Sequence, residues 1–163
     1  MKKTHLRSRG TSTIDRRISN FVKKFGIARV NYGERFYYKT NGEIQYTAYR
    51  AKGDDDLIEW IYDNYGITIE PYLFMFSLLH EVGHHMTVGN FSEEDLATEM
   101  VLREHFIPNL KNPNDLYFEL PTEKAATMWA LNYLNENFDE CWDFQAKIFE
   151  KMKHTLKKKS FRV

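Results

Sequence analysis

Residues 71–90 read PYLFMFSLLHEVGHHMTVGN, and this stretch sets the expected architecture. Pro71 suits the first position of a helix, where its missing N–H leaves no bond unmade. The residues after it are apolar nearly all round, which predicts a buried helix at the centre of a domain. The helix should stop near Gly89-Asn90. Inside it lie His80-Glu81-Val82-Gly83-His84, an H-E-x-x-H pattern. Residues four apart share a helical face, so both imidazoles can address one ion. Glu81 is rotated by about one residue's turn, near enough to touch a water on that ion without ligating it. With only six histidines in the chain, chance gives roughly 0.02 such matches.

Burying two histidines and a glutamate on an apolar helix is costly unless something pairs them, and a metal does that. Imidazole nitrogens suit Zn2+, and a catalytic zinc keeps three protein ligands plus water. Such an ion lowers the pKa of water toward ~7, and Glu81 is placed to take the proton and pass it to a leaving amine. The third ligand must come from elsewhere. Glu123, in ELPTEKAATMWALNYL, is the first candidate: it opens a helix with small Ala126 and Ala130 on the adjoining face. Those alanines, with Gly83 on the metal helix, would let two helices approach closely enough to share an ion. Glu104 and Glu99 compete because their helix follows the motif sooner, and His105 is a weaker rival. His85, beside His84, points to another face and is expected to be structural or exposed.

Outward from this centre the chain reads as helix, small sheet, then mostly helices, an α+β domain. Ser12 or Thr13 could cap a helix carrying Ile14, Ile18, Phe21, Val22 and Phe25, ended by Gly26. Residues 27–32, 35–40 and 43–50 are β-rich, and Asn41-Gly42 between the last two is a strong hairpin signal. A small antiparallel or mixed sheet of two or three strands follows. Asp54, Asp55 and Asp56 lack the spacing of a calcium loop and suit a helix N-terminus. Ser92 with Asp95 resembles a capping box for a helix to about Phe106, closed by Pro108. After the loop PNLKNPND, Thr122 should cap a helix using Ala126, Ala130, Leu131 and Leu134. Asp139 opens the last helix, with Trp142, Phe149, Met152 and Leu156 expected on one face. Trp60, Trp129 and Trp142 are expected in the core, and Cys141 as a packed thiol.

HEVGHH followed by E-K-A-A-T-M-W-A resembles the zincin metallopeptidases of the ImmA/IrrE type. These are gluzincins whose third ligand is the glutamate of an E-x-x-A-(D/N)-x-x-A helix. Glu123, Ala126 and Ala130 match that pattern, and Thr127 stands where the family usually has Asp or Asn. That position commonly supports a metal-ligating histidine. The resemblance covers residues 70–135 by motif, and the preceding sheet by order of elements only. It implies a zincin-like fold and a zinc endopeptidase of bacterial or phage origin, of the kind that often cuts a transcriptional repressor. The metal ligands would be His80, His84 and Glu123, with Glu81 as general base. A substrate strand would add to the edge of the small sheet. Zincins often stabilise the oxyanion with a downstream Tyr or His, and Tyr117, Tyr133, His105 and His154 all qualify.

The composition fits this reading. The chain has 163 residues, 42% apolar and 15% aromatic, which suits one core and argues against global disorder. A basic, flexible arm is expected over residues 1–11 and a single domain over residues 12–163. The longest apolar run, residues 72–79, is far too short for a membrane span, and no apolar segment follows the basic N-terminus as in a secretory signal. A lone cysteine fits a cytoplasmic protein. Zero net charge hides basic ends (net +8 over residues 1–29 and +6 over 145–163) around an acidic middle (−14). The expected partner is a protein or peptide substrate. The basic ends leave a nucleic-acid-binding regulator as one alternative, and an inactive zinc-binding partner or inhibitor module as another.

Overall fold

The computed structural model describes residues 9–160, a mixed α+β arrangement of seven α-helices and one three-stranded sheet. Helix α1 spans Arg9–Val22 and buries Ile14, Ile18, Phe21 and Val22, the stripe its periodicity predicts. It starts ahead of Ser12 and Thr13, so part of the expected arm is helical, while residues 1–8 lie outside the described residues. A 3-10 turn, Lys23–Phe25, carries it to Gly26, whose φ of 83° closes the helix in the left-handed conformation as expected.

The strands are β1 (Arg29–Tyr32), β2 (Tyr37–Lys39) and β3 (Glu43–Tyr46), in the order β1-β3-β2. Strands β2 and β3 form the antiparallel hairpin signalled by Asn41-Gly42, whereas β1 pairs with β3 in parallel. The sheet is therefore mixed. The short link from β1 to β2 must cross β3, and it does so at Gly33, where an added Cβ would lie 2.1 Å from the Gln45 side chain. Ile44 and Tyr46 on central β3 are fully buried, and the Tyr46 hydroxyl donates to Asp15 of α1 at 2.6 Å. Strand β2 is left as an open edge.

Helix α2 (Asp54–Tyr65) opens on its three aspartates, as expected. Helix α3 (Leu73–Thr87) follows a 3-10 turn through Pro71 and buries Phe74, Met75, Phe76, Leu78, Leu79 and Val82. Helix α4 (Glu93–Val101) begins with the Ser92/Asp95 capping box and runs into a π-helical turn, Leu102–Phe106. A short helix α5 (Pro113–Glu119) begins inside the stretch 108–115 that sequence assigns to a loop, followed by α6 (Pro121–Glu136) and α7 (Phe138–Ser160). Helices α3 and α6 form the most intimate helix pair. No helix of the described residues is long and apolar enough to cross a membrane.

Both buried helices take their N-terminal partners from distant chain. The Met75 N–H of α3 donates to Gln145 Oε1 at 3.1 Å, and Gln145 Nε2 donates to the Pro71 carbonyl at 2.8 Å. Thr122 does not cap α6; it lies within the first turn, and its N–H donates to Glu99 of α4 at 3.1 Å. The side chain of Gln145 also explains a misread face on α7. Cys141, Gln145 and Ile148 point inward, while Trp142 and Phe149 are partly exposed and Met152 packs at the edge. A polar residue used as a cap interrupts the apolar periodicity, so the stripe was displaced by about one position. Trp142 stacks on Phe138 and meets Tyr72 at the surface, Trp129 is half-buried, and Trp60 is buried as expected. The Leu156 side chain lies outside the described residues.

Cys141 is fully buried, and burial pushes its thiol up to about 11. A chromogenic thiol reagent at neutral pH should therefore leave the native protein unlabelled for as long as it stays folded. In concentrated guanidinium it should titrate one thiol at once. Rapid labelling of native protein would contradict this packing.

Candidate metal centre

His80 and His84 lie one turn apart on α3 with ring centroids 4.7 Å apart. Glu123 sits in the first turn of α6, where the helix dipole favours a carboxylate. Its Oε2 is 2.9 Å from His80 Nε2 and 3.4 Å from His84 Nε2. One ligand atom from each of the three residues lies within 4.8 Å of the others. Four donors at Zn–N distances of ~2.0–2.1 Å would stand ~3.3 Å apart at tetrahedral corners, so the observed spacings suit a single ion. Two imidazoles and a carboxylate also form a donor set suited to zinc. This group could hold a metal ion.

The helices meet here because nothing separates them. A Cβ at Gly83 would lie 2.6 Å from the Ala126 carbonyl oxygen and 2.9 Å from its Cα. Gly83 lies between the two histidines, and Ala126 is one turn beyond Glu123, so the contact sits beside the ligand atoms. Thr127, fully buried, places its hydroxyl 3.3 Å from His80 Nδ1. With Nε2 bare for a metal, Nδ1–H donates to that hydroxyl and fixes the ring. Thr127 thus occupies the supporting position that an Asp or Asn would fill.

Electrostatics couple these groups. Burial disfavours the charged form of Glu123, but hydrogen bonds from His80 and His84 hold its carboxyl well below the usual range. Burial likewise works against charge on His80, and Glu123 outweighs it, so the imidazole shifts upward. Glu81 behaves differently: burial raises it, against the opposing pull of His80 and His84, and the Tyr38 N–H of β2 donates to its carboxylate.

The other sequence candidates separate clearly. Glu104 and His105 are exposed at 62% and 70% of their side chains and face each other away from the site. Glu99 is buried but bonds Thr122 and Arg103 rather than reaching the histidines. His85 bonds the Tyr38 hydroxyl at 3.0 Å through Nδ1, a structural role. Among the four oxyanion candidates, Tyr117 reaches the centre, donating to Glu123 Oε1 at 3.0 Å; burial pushes its phenol well up, so it remains a donor. Tyr133 instead stacks on Trp129, and the His154 side chain lies outside the described residues.

Sequence reading did not single out Arg103, whose Nη2 is 2.6 Å from Glu123 Oε1. Its signal was present in the i,i+4 spacing of Glu99 and Arg103, the helical pairing of opposite charges. His80, Glu81, His84, Arg103 and Glu123 line a cleft of about 990 Å³, walled by Tyr38 of β2, Met100 and Tyr117 among others. Compared with family models, curated proteins and solved structures, the chain matches none.

Proposed function

We propose that the chain is a zinc-dependent endopeptidase of the ImmA/IrrE gluzincin type, with a zincin-like fold. The observation that carries this reading is the convergence of His80, His84 and Glu123 beside Glu81 in an open cleft. His80 and His84 would bind through Nε2 and Glu123 through Oε2. A zinc ion held there would supply Lewis acidity, polarising a carbonyl and lowering the pKa of water toward ~7. Glu81 accepts the proton of the attacking water as the new C–O bond forms, then delivers it to the departing amine as the C–N bond breaks and the carbonyl re-forms. For Tyr117 to donate to the carbonyl oxygen as negative charge grows there, its one hydroxyl proton would have to leave Glu123 Oε1, with Arg103 then holding that oxygen alone. The open edge of β2, whose Tyr38 N–H already turns toward Glu81, offers backbone partners for an extended substrate segment. The substrate is proposed to be a regulatory protein such as a repressor.

Elemental mass spectrometry on purified wild type, Glu123→Ala and Glu104→Ala tests the site. We expect one zinc per chain in wild type and Glu104→Ala, and a loss of at least tenfold in affinity in Glu123→Ala. A mixed peptide library incubated with wild type should yield new N-termini, abolished by chelation and restored by added zinc. Equal zinc loss in Glu104→Ala would move the third ligand, and cleavage indifferent to chelation would overturn the metallopeptidase.

A further inference from the structure

The two oxygens of Glu123 live in different surroundings. Oε2 faces His80 and His84, whereas Oε1 accepts from Arg103 Nη2 at 2.6 Å and from the Tyr117 hydroxyl at 3.0 Å. Arg103 is itself held on several sides. Its Nε and Nη2 donate to Glu99 Oε1 at 3.2 and 2.7 Å, Nη2 also reaches the Thr122 hydroxyl at 3.1 Å, and its guanidinium lies 5.0 Å over the Tyr117 ring. Glu99, only 5% exposed, accepts the Thr122 N–H of α6 in return. One charge therefore links the π-helical turn after α4, the last turns of α5 and the first turn of α6. π-Turns of this kind are frequent at functional sites.

Resting on the metal-centre reading above, we propose that Arg103 is a positioning residue: it holds back Glu123 Oε1 so that only Oε2 is presented to the ion. A carboxylate with both oxygens free can chelate a metal through the pair. Here that would cost two hydrogen bonds, one of them to a guanidinium, in a largely buried setting. Single-oxygen ligation leaves a coordination position for chemistry, as catalytic rather than structural zinc sites require. The role needs arginine because its fork satisfies Glu99 and Glu123 together, which a lysine ammonium on one flexible stem does less well.

The test is Arg103→Met and Arg103→Lys in the full chain, read by zinc affinity from chelator competition and by the visible spectrum after cobalt substitution. We expect zinc affinity to fall by ~10–100-fold in Arg103→Met, with a smaller loss in Arg103→Lys. The cobalt bands should lose intensity in Arg103→Met as Glu123 turns its second oxygen inward and the coordination number rises. A merely structural ion pair would lower thermal stability without changing those bands. If Arg103→Met does not fold, by far-UV circular dichroism, Arg103→Lys decides on the same two readouts. Wild-type affinity and an unchanged cobalt spectrum in the folded variant would overturn the role of Arg103 and leave the metal centre standing. Absence of zinc or cobalt binding by wild type would overturn both.

Discussion

Under the proposed peptidase mechanism, Glu81→Gln should lower peptide hydrolysis by ~10²–10⁴-fold while zinc content stays at the wild-type value. The amide has nearly the shape of the carboxylate and keeps an oxygen to accept the Tyr38 N–H, so the local structure is retained. What it loses is the ability to take a proton. His80, His84 and Glu123, which would hold the ion, are untouched by the change. Stability supplies an independent check on the metal-free protein. Burial raises the Glu81 carboxyl above its unfolded value, so the folded state binds more protons than the unfolded state between the two pKa values. Stability from this group accordingly falls as pH rises through that window, and the loss persists above it. Gln, always neutral, escapes the loss, and metal-free Glu81→Gln should melt above metal-free wild type at neutral pH. Retained hydrolysis in a zinc-loaded Glu81→Gln protein would remove Glu81 from the mechanism.

What could be read from sequence here was whatever short-range chemistry records. The stripe on α1, the Asn41-Gly42 hairpin, the Ser92/Asp95 cap and the acidic start of α2 are each encoded within a few residues. The metal group was legible because its helices each carry a local pattern, and because Gly83, Ala126 and Ala130 announce a close approach. The features that escaped depend on residues far apart in the chain. Glu99 partners the start of α6 from 23 positions away, and Gln145 partners the start of α3 from 70. No helix-local rule contains such partners; Thr122 resembles a cap by position, yet its N–H is met from α4. Gln145 inside the core also breaks the period on α7, so the apolar pattern points to Trp142 and Phe149 as the inner face although Cys141 and Ile148 occupy it. Parallel pairing of β1 with β3 likewise has no signature in a stretch that announces only the hairpin beside it.

Gly83→Ala should dismantle the candidate metal site, against the usual direction of that substitution. In an exposed helix interior, alanine in place of glycine gains ~1 kcal/mol, because glycine has more backbone freedom to lose. Gly83 is fixed in the middle of α3, and its missing Cβ is what lets α6 in. The new methyl would meet the Ala126 oxygen at 2.6 Å, its Cα at 2.9 Å and its carbonyl carbon at 3.1 Å, where ordinary contact begins at 3.4 Å. All three obstacles are backbone atoms of a helix, so no rotamer relieves the clash and the helices must separate. Overpacking of this kind costs ~1–3 kcal/mol or more, which cancels or exceeds the propensity gain and leaves a net destabilisation of up to ~2 kcal/mol or more. The functional loss is larger than the stability loss. Metal bonds tolerate only ~0.2 Å of error, and spreading α3 from α6 moves His80 and His84 away from Glu123 by more than that. Gly89 provides the matched control: a Cβ there meets nothing within 4 Å. Thermal melts with and without zinc separate the two cases, since a ligand that binds only the folded state raises its melting temperature. Wild type and Gly89→Ala should both gain stability on adding zinc, whereas Gly83→Ala should start lower and gain little or nothing. A zinc-dependent rise in Gly83→Ala equal to that of wild type would show that the helices can part without opening the site, and would refute the close approach of α3 and α6 as the device that assembles it.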